Sequence, residues 1–256
     1  MSYERVGIVW LALSTAACLT SADVGVLEET NATRVCGQVN VHTRADYEAA
    51  RNCTRIDGSL LLGADAPELE FEFPELTEIT GELTPVYDDG HPHPLAQLRF
   101  QKLRTIGGSV TLSATDLHDV EWPELRRVGG QLRAIAMPKL ARLALPKLER
   151  IDGAVQILLN STLEQLDLRA LRVVGGFVAI YLDPALTEVR CDDIERVDGS
   201  ASLDGLGLLS AHTVLPLWEA SDRTRALGQI GCCSDNPDTL RTNCDEASEL
   251  TCSAAD

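Results

Sequence analysis

The sequence is poor in positive charge and in aromatic side chains. Lys and Arg together number 22 against 39 Asp and Glu, the formal net charge is -17, and Phe, Trp and Tyr make up 4% of the chain. Nucleic acids and anionic membrane surfaces bind proteins through basic patches, so neither is an expected partner. Because aromatic residues are scarce, any that face water indicate a surface of interest.

No apolar run is long enough for a transmembrane helix. The longest, Val6 to Ala17, falls well short of the roughly 20 residues that cross a bilayer. It follows Arg5 and leads into small residues, which is the pattern of a secretory signal peptide. We therefore expect residues 1–22 to direct export and residues 23–34 to form a linker.

Two processing sites fit the end of this signal. The segment Thr15 to Cys18 resembles a bacterial lipobox, in which Cys18 would be lipidated and become the mature N-terminus. The segment Thr20 to Ala22 offers an ordinary cleavage site with small residues instead. The exported product is therefore either lipid-anchored at the cell envelope or extracellular.

Eight cysteines in an exported chain indicate disulfide bonds. Either processing site leaves an odd number for pairing, so one cysteine should remain a thiol. We expect it to be Cys191, since the repeat described next gives this residue an inward position. The cysteines left for disulfides are then Cys36, Cys53, Cys232, Cys233, Cys244 and Cys252.

A glycine recurs about every 23 residues through the middle of the chain. The repeated positions are Gly58, Gly81, Gly108, Gly130, Gly153, Gly176 and Gly199. Two residues before each glycine stands Ile or Val, and five residues before all but the first stands Leu or Ile. Such self-similarity is typical of solenoid proteins. The interval from Gly81 to Gly108 is about four residues longer than the others, and we expect Tyr87 to Pro94 to form an extruded loop there.

Each repeat, or coil, contains two short runs in which every second residue is apolar. One run follows the glycine, as in Val155 and Ile157, and the other precedes the leucine, as in Leu143 and Leu145. A period of two predicts β-strands with one buried face. One coil cannot bury its own apolar stripe, so the sequence predicts a mainly β, parallel solenoid of about seven stacked coils over residues 35–204.

Both ends of such a solenoid need caps over their open strand edges. The segment Cys36 to Cys53 contains a predicted short helix from Ala45 to Arg51. A Cys36–Cys53 disulfide would close this N-terminal cap and stabilise it by about 3 kcal/mol. Residues 205–256 are predicted to form a partly helical, cysteine-rich C-terminal cap. The pairing there stays open among Cys232, Cys233, Cys244 and Cys252.

The N-terminal cap and the repeats resemble the receptor L domain of insulin-receptor and epidermal-growth-factor-receptor ectodomains. The resemblance is carried by Val35 to Gly37, by Asn52 to Leu60, and by the repeated Ile/Val-x-Gly-x-Leu/Val pattern. It covers about residues 35–204 and implies a right-handed β-helix that opens with a disulfide-closed helical loop. For function it implies extracellular recognition as a tendency, since a shared fold does not fix what a protein binds.

The outward positions of the two predicted strand sets differ in character. Before the leucine, one row is charged and is expected to be solvated: Glu72, Arg99, Glu121, Ala144, Asp167 and Arg190. After the glycine, the outward positions predict a ligand-binding face: Arg133, Ile135, Gln156, Leu158, Phe177 and Tyr181. Exposed apolar area within a polar rim is typical of contact surfaces. Two other interpretations of this face stay open: the chain's own C-terminal tail could cover it, or it could be a dimer interface.

No residue pattern typical of catalysis is found. Ser109, Thr111 and Ser113 have no histidine in register to activate them, and Arg99 interrupts the acidic row that a carboxylate pair would need. The segment Asp88 to His93 contains possible metal ligands, but their spacing is not diagnostic, so no metal or other cofactor is expected. Sequons for N-glycosylation, relevant only if the source glycosylates, begin at Asn31, Asn52 and Asn160.

We therefore expect a non-catalytic module that recognises an extracellular protein or glycan through an outer sheet face. The alternative class is a structural envelope protein that associates with itself through the same face. A polysaccharide-active enzyme is the least favoured reading, because parallel β-helices with that activity need converging carboxylates.

Overall fold

The chain folds into a parallel β-solenoid of about seven turns with 23-residue coils, as the repeat predicts. A computed structural model describes residues 33–63, 70–86, 93–204, 206, 216–217 and 220–221. The predictions for the signal peptide, for Cys18, and for most of the linker and of the C-terminal cap, including its four cysteines, lie outside the described residues. Among the described residues, no helix is long and apolar enough to cross a membrane.

The first sheet lies at the Ile/Val-x-Gly motif, where the sequence predicts only a bend. Its outward position is charged in five of the seven full coils, with Thr105 and Val173 in the other two, and its inward position is Ile or Val in every full coil. Eight strands pair in parallel: β1 (Val35–Cys36), β3 (Arg55–Ile56), β6 (Glu78–Ile79), β9 (Thr105–Ile106), β12 (Arg127–Val128), β15 (Arg150–Ile151), β18 (Val173–Val174) and β21 (Arg196–Val197). Strands of two residues are too short to show an alternating pattern in the sequence.

The second sheet follows the glycine of each coil, as predicted. It has eight parallel strands: β2 (Val39–Val41), β4 (Leu60–Gly63), β7 (Leu83–Val86), β10 (Val110–Thr111), β13 (Leu132–Ile135), β16 (Val155–Leu158), β19 (Val178–Tyr181) and β22 (Ala201–Asp204). Equivalent residues of neighbouring coils pair with each other, so one sequence position becomes one row across the sheet.

The third strand set precedes the leucine and is divided in two. The strands β5 (Glu70–Phe73) and β8 (Gln97–Phe100) form one pair, and β11 (Asp119–Glu121), β14 (Arg142–Ala144), β17 (Gln165–Asp167) and β20 (Glu188–Arg190) form a separate sheet. The division falls between the coil with the extra residues and the next coil, which is one residue shorter than most. The predicted outward row has the expected register, but Ala144 and Asp167 in it are buried rather than solvated.

A short helix, α1 (Arg44–Ala50), covers the N-terminal end of the solenoid. It begins one residue before the predicted start. Thr43 caps the helix, and its hydroxyl and the Asp46 carboxylate form a reciprocal capping box. Tyr47 is buried, and its hydroxyl donates to the Glu72 carbonyl at 3.0 Å and accepts from the Glu72 amide at 3.1 Å. The phenol therefore satisfies the backbone hydrogen-bonding groups of Glu72 at the open edge of β5, which a neighbouring strand would otherwise pair.

The predicted Cys36–Cys53 disulfide is present and closes the N-terminal cap. Cys191 is a buried thiol at the inward position that the repeat assigns to it. Burial raises the pKa of this thiol to about 12, with a smaller contribution from the charge of Asp192. The thiol thus stays protonated and packs as a small apolar side chain.

The core is built of rows of like side chains that follow the solenoid axis. In the N-terminal half, the inward row of the third strand set is aromatic: Phe73 and Phe100 stack at 5.6 Å, and Phe100 meets Trp122 edge-on at 5.2 Å between ring centroids. Further along, the same row continues with smaller side chains, Leu145, Leu168 and Cys191. Most of the aromatic residues that the structure describes are therefore buried in the core.

The bend after the first sheet brings the backbones of successive coils into direct contact. A Cβ added to Gly129 would lie 2.1 Å from the carbonyl oxygen of Gly107, and one on Gly107 would lie 2.2 Å from that of Thr80. Only a hydrogen atom fits in this space. The glycines are thus required by packing between coils, and the spacing of the coils depends on them.

We predict that Gly129→Ala lowers the free energy of unfolding by about 3 kcal/mol or more, since the backbone of the neighbouring coil must move to admit the methyl group. Urea denaturation followed by circular dichroism would measure this loss. Gly37→Ala is the matched control, because a Cβ at Gly37 meets nothing within 4 Å and should change stability little. Equal stability of the two variants would contradict the close packing of the coils.

Candidate binding face

The residues predicted to form a ligand-binding face lie on three neighbouring strands of the second sheet. Arg133 on β13 pairs with Gln156 on β16, and Ile135 pairs with Leu158. Leu158 pairs in turn with Tyr181 on β19. Neighbouring strands are about 4.8 Å apart, so these side chains form two rows across the sheet. The row at the C-terminal ends of the strands is the apolar one and consists of Ile135, Leu158 and Tyr181.

Phe177 lies outside both rows. It precedes β19 by one residue, and Ala179 is the residue beside Gln156. Phe177 and Tyr181 therefore lie at opposite ends of one outward line, about 13 Å apart for an extended chain. Phe177 is 39% exposed, whereas Ala179 between them is buried. The two aromatic residues flank the face rather than forming one stacking platform.

Two further apolar residues extend this face, and the sequence analysis missed both. Leu159 and Leu182 directly follow β16 and β19 and are 50% and 52% exposed. We call this pair the corner ridge. It adjoins Leu158 and Tyr181 along the chain, so the apolar part of the face continues around the bend. The sequence feature that could have indicated them is the pair of consecutive apolar residues at the end of each strand, Leu158–Leu159 and Tyr181–Leu182.

The corner ridge has an unusual backbone conformation. Leu159 and Leu182 have φ values of 62° and 59°, in the left-handed region, and Ala114 and Ala136 take the same conformation at the equivalent bend of the two preceding coils. This conformation costs a non-glycine residue roughly 1–2 kcal/mol. It turns the chain so that the next residue, Asn160 or Asp183, points into the core.

Asn160 and Asp183 form a buried polar pair beneath the corner ridge. The backbone amide and the side-chain amide of Asn160 both donate to Oδ1 of Asp183, at 2.7 and 3.1 Å. Asn160 Oδ1 accepts from the Met137 amide and its Nδ2 also donates to the Ala134 carbonyl. These bonds tie three coils together at the bend. They also show that Asn160, the acceptor residue of its sequon, is buried in the folded core.

Asp183 is fully buried, and within the part of the chain that the structure describes its Oδ2 has no hydrogen-bond partner. Burial raises the pKa of Asp183 to about 7, while the hydrogen bonds from Asn160 act in the opposite direction. Below about pH 7 the neutral acid is therefore the prevailing form of this side chain.

The other outer surfaces are dominated by ion pairs between neighbouring coils. Basic and acidic side chains one coil apart pair as Arg55–Glu78, Lys102–Glu75, Lys139–Asp116, Arg126–Glu149 and Lys147–Glu124. Each such exposed pair contributes little to stability, but together they mark solvated surfaces. On the second sheet, by contrast, Arg133 and Asp204 are the only charged residues among the outward strand positions of the described coils.

Arg133 itself differs from most arginines of the solenoid. It is exposed, and no carboxylate of the described residues lies within ion-pair distance of its guanidinium. Its row neighbours are Thr111 and Gln156, which are neutral. The candidate face therefore combines a half-exposed apolar strip with a single cation that has no counter-charge beside it.

A polar cleft lies on the opposite, charged side of the solenoid. It has a volume of about 570 Å³ and opens between β8 and β11, where the third strand set is divided. Arg99, Asp119 and Glu121 are among its lining residues, and the buried Trp122 donates from Nε1 to the Leu98 carbonyl across it. Its walls carry both charge signs, which does not single out one kind of ligand.

The possible metal ligands of the extruded loop do not come together in the described residues. Asp88, Asp89 and His91 lie outside them. His93 is buried instead of exposed, and its ring nitrogens contact the Leu62 carbonyl and the Leu95 amide at 2.9 and 3.1 Å. Burial lowers the pKa of His93, so the neutral ring serves as an internal hydrogen-bonding group.

Comparisons with protein-family models, with curated proteins and with solved structures found no match.

We predict that Asp183→Asn makes the protein more stable than the wild type above neutral pH. The pKa of Asp183 is about 7 when folded and near 3.9 when unfolded, so its contribution is fully present below pH 4 and is lost as the pH rises through 7. The loss should amount to roughly 4 kcal/mol over that range, and an amide in its place has no charge to bury.

The measurement is urea denaturation of both proteins between pH 4 and pH 8.5. The difference in the free energy of unfolding should grow from acid to neutral pH and then stay level. Taking the difference removes the contributions of the other carboxylates, which both proteins share. Parallel stability profiles would show that Asp183 is not buried as an acid.

Proposed function

We propose that this chain is an exported, non-catalytic recognition module that binds an extracellular protein or glycan through the candidate face. One observation carries the proposal. In a chain with 24% charged residues, this face has one cation and a continuous apolar strip, whereas the other surfaces are lined with ion pairs. Apolar area that folding leaves exposed within a polar surround favours a contact surface.

The proposed setting is the cell exterior or its envelope. The Cys36–Cys53 disulfide supports an oxidising compartment, in agreement with the predicted export signal. The disulfide-closed helical cap followed by parallel coils also supports the resemblance to receptor L domains, which we propose as the family. Mass spectrometry of the mature N-terminus would distinguish lipidated Cys18 from a start near Asp23.

The alternative function is structural. An envelope protein that associates with itself would use the same apolar strip, and its net charge of -17 would oppose the approach of a second copy. That repulsion favours a heterologous partner over a second copy. A polysaccharide-active enzyme receives less support, since Arg99 stands within the row that would have to supply its carboxylates.

We predict that Phe177→Ser combined with Tyr181→Ser abolishes partner binding without unfolding the solenoid. Both side chains are at least partly exposed, so their removal should lower stability only modestly. The full chain would be immobilised, incubated with the exported proteins and glycans of the source, and the retained molecules identified by mass spectrometry.

Val35→Ser is the matched control, because Val35 is an apolar residue that is 57% exposed on the first sheet, away from the candidate face. It should retain the same molecules as the wild type. Retention that survives the double substitution would argue against this face. Sedimentation velocity adds the second arm, since a wild-type dimer that the double variant dissociates would favour the structural alternative.

A further inference from the structure

The bend occupied by the corner ridge does not require large side chains. Ala114 and Ala136 make the same bend in two neighbouring coils, with φ values of 48° and 54°. Glycine or asparagine would take this conformation at lower cost. Leu159 and Leu182 are therefore unfavourable in two ways, in backbone conformation and in the apolar area that they leave in water. Folding alone does not account for them.

The corner ridge is held firmly in place. The Leu159 amide donates to the Tyr181 carbonyl at 3.1 Å, and the residues after the ridge are anchored by the buried Asn160–Asp183 hydrogen bonds. Two aliphatic side chains one coil apart, about 4.8 Å along the axis, are thus presented on a fixed backbone. A partner that contacts them loses little conformational entropy of this chain on binding.

The chemistry of the strip favours a protein over a glycan. Sugar rings are bound mainly by aromatic stacking together with planar polar groups, yet Phe177 and Tyr181 are too far apart to hold one ring. Ile135, Leu158 and the corner ridge are aliphatic, and aliphatic groups pack against apolar protein side chains. Arg133 beside them lacks a carboxylate in the described residues, and a guanidinium binds carboxylates in a bidentate manner.

We propose that the corner ridge and Arg133 together dock a protein segment that carries an apolar side chain close to a carboxylate. The inference rests on the binding function proposed above and names the class of partner. The apolar side chain would pack on Leu159 and Leu182, and the carboxylate would pair with Arg133 one to two coils away along the solenoid axis. A segment several residues long is needed to reach both.

The probe for this proposal is a library of random peptides displayed on phage, selected against the full disulfide-bonded chain. We expect the selected peptides to share an aliphatic or aromatic residue near an Asp or Glu. They should bind Leu159→Ala combined with Leu182→Ala at least about tenfold more weakly than the wild type, since two anchoring side chains are removed. Val35→Ala is the control and should bind them unchanged.

Alanine is the chosen substitution because it already occupies the equivalent bend at Ala114 and Ala136, so the ridge variant should fold. Circular dichroism and the thermal midpoint would check this. Arg133→Glu provides an arm that does not remove apolar area. It should weaken the selected peptides about tenfold, and peptides whose acidic residue is changed to Lys should regain their binding to this variant.

The outcomes separate the two proposals. Peptides that lose binding to the Phe177 and Tyr181 double variant but not to the ridge variant would overturn the ridge inference and leave the binding function standing. Peptides indifferent to every substitution on the face would overturn both. Selection of glycans from an array in place of peptides, or a wild-type dimer that the ridge variant dissociates, would overturn the class of partner.

Discussion

The contact between backbones at the glycine bend sets the geometry of the whole solenoid. A Cβ on the repeated glycine would lie 3.0 Å or less from the backbone of the preceding coil at Gly81, Gly108, Gly130, Gly153, Gly176 and Gly199. Where a Cβ on Gly129 would stand 2.1 Å from the Gly107 carbonyl oxygen, the two coils can approach only as bare backbone, and the same applies at Gly175 against Asp152. This approach holds each coil in register with the next. Register in turn places equivalent residues side by side, so that a single sequence position becomes a row of side chains.

Rows make each surface uniform in chemistry, and the differences between rows are therefore informative. On the third strand set and the neighbouring bends, opposite charges one coil apart pair along the axis. Such pairs suit a surface that faces water throughout. The outward rows of the second sheet have no comparable pattern, and their apolar members include Leu61 and Val86 as well as a contiguous group on β13, β16 and β19. If solubility were the only requirement on this surface, Leu158, Leu159, Tyr181 and Leu182 would not be expected to cluster in one place.

The parts of the structure that could be predicted are those encoded by short periods. Alternation with a period of two identified the inward residues of two strand sets, the glycine interval fixed the coil length, and the position of Cys36 and Cys53 at the cap indicated their disulfide. The first sheet was missed because two-residue strands leave no alternation. The pattern does not show where β19 begins, so it could not indicate that Phe177 lies one residue before that strand. The left-handed bends and the Asn160–Asp183 pair depend on backbone angles and on contacts between coils, which no local pattern records.

The polar pair inside the bend and the apolar ridge outside it have one structural origin. A residue in the left-handed conformation reverses the local alternation, so Asn160 and Asp183 point inward while Leu159 and Leu182 remain outside. The inward pair needs hydrogen bonds because it is buried, and those bonds fix the bend. The fixed bend then holds the outward leucines in one orientation. A rigid apolar pair of this kind is suited to recognition, since most of the ordering that binding requires is already complete in the folded chain.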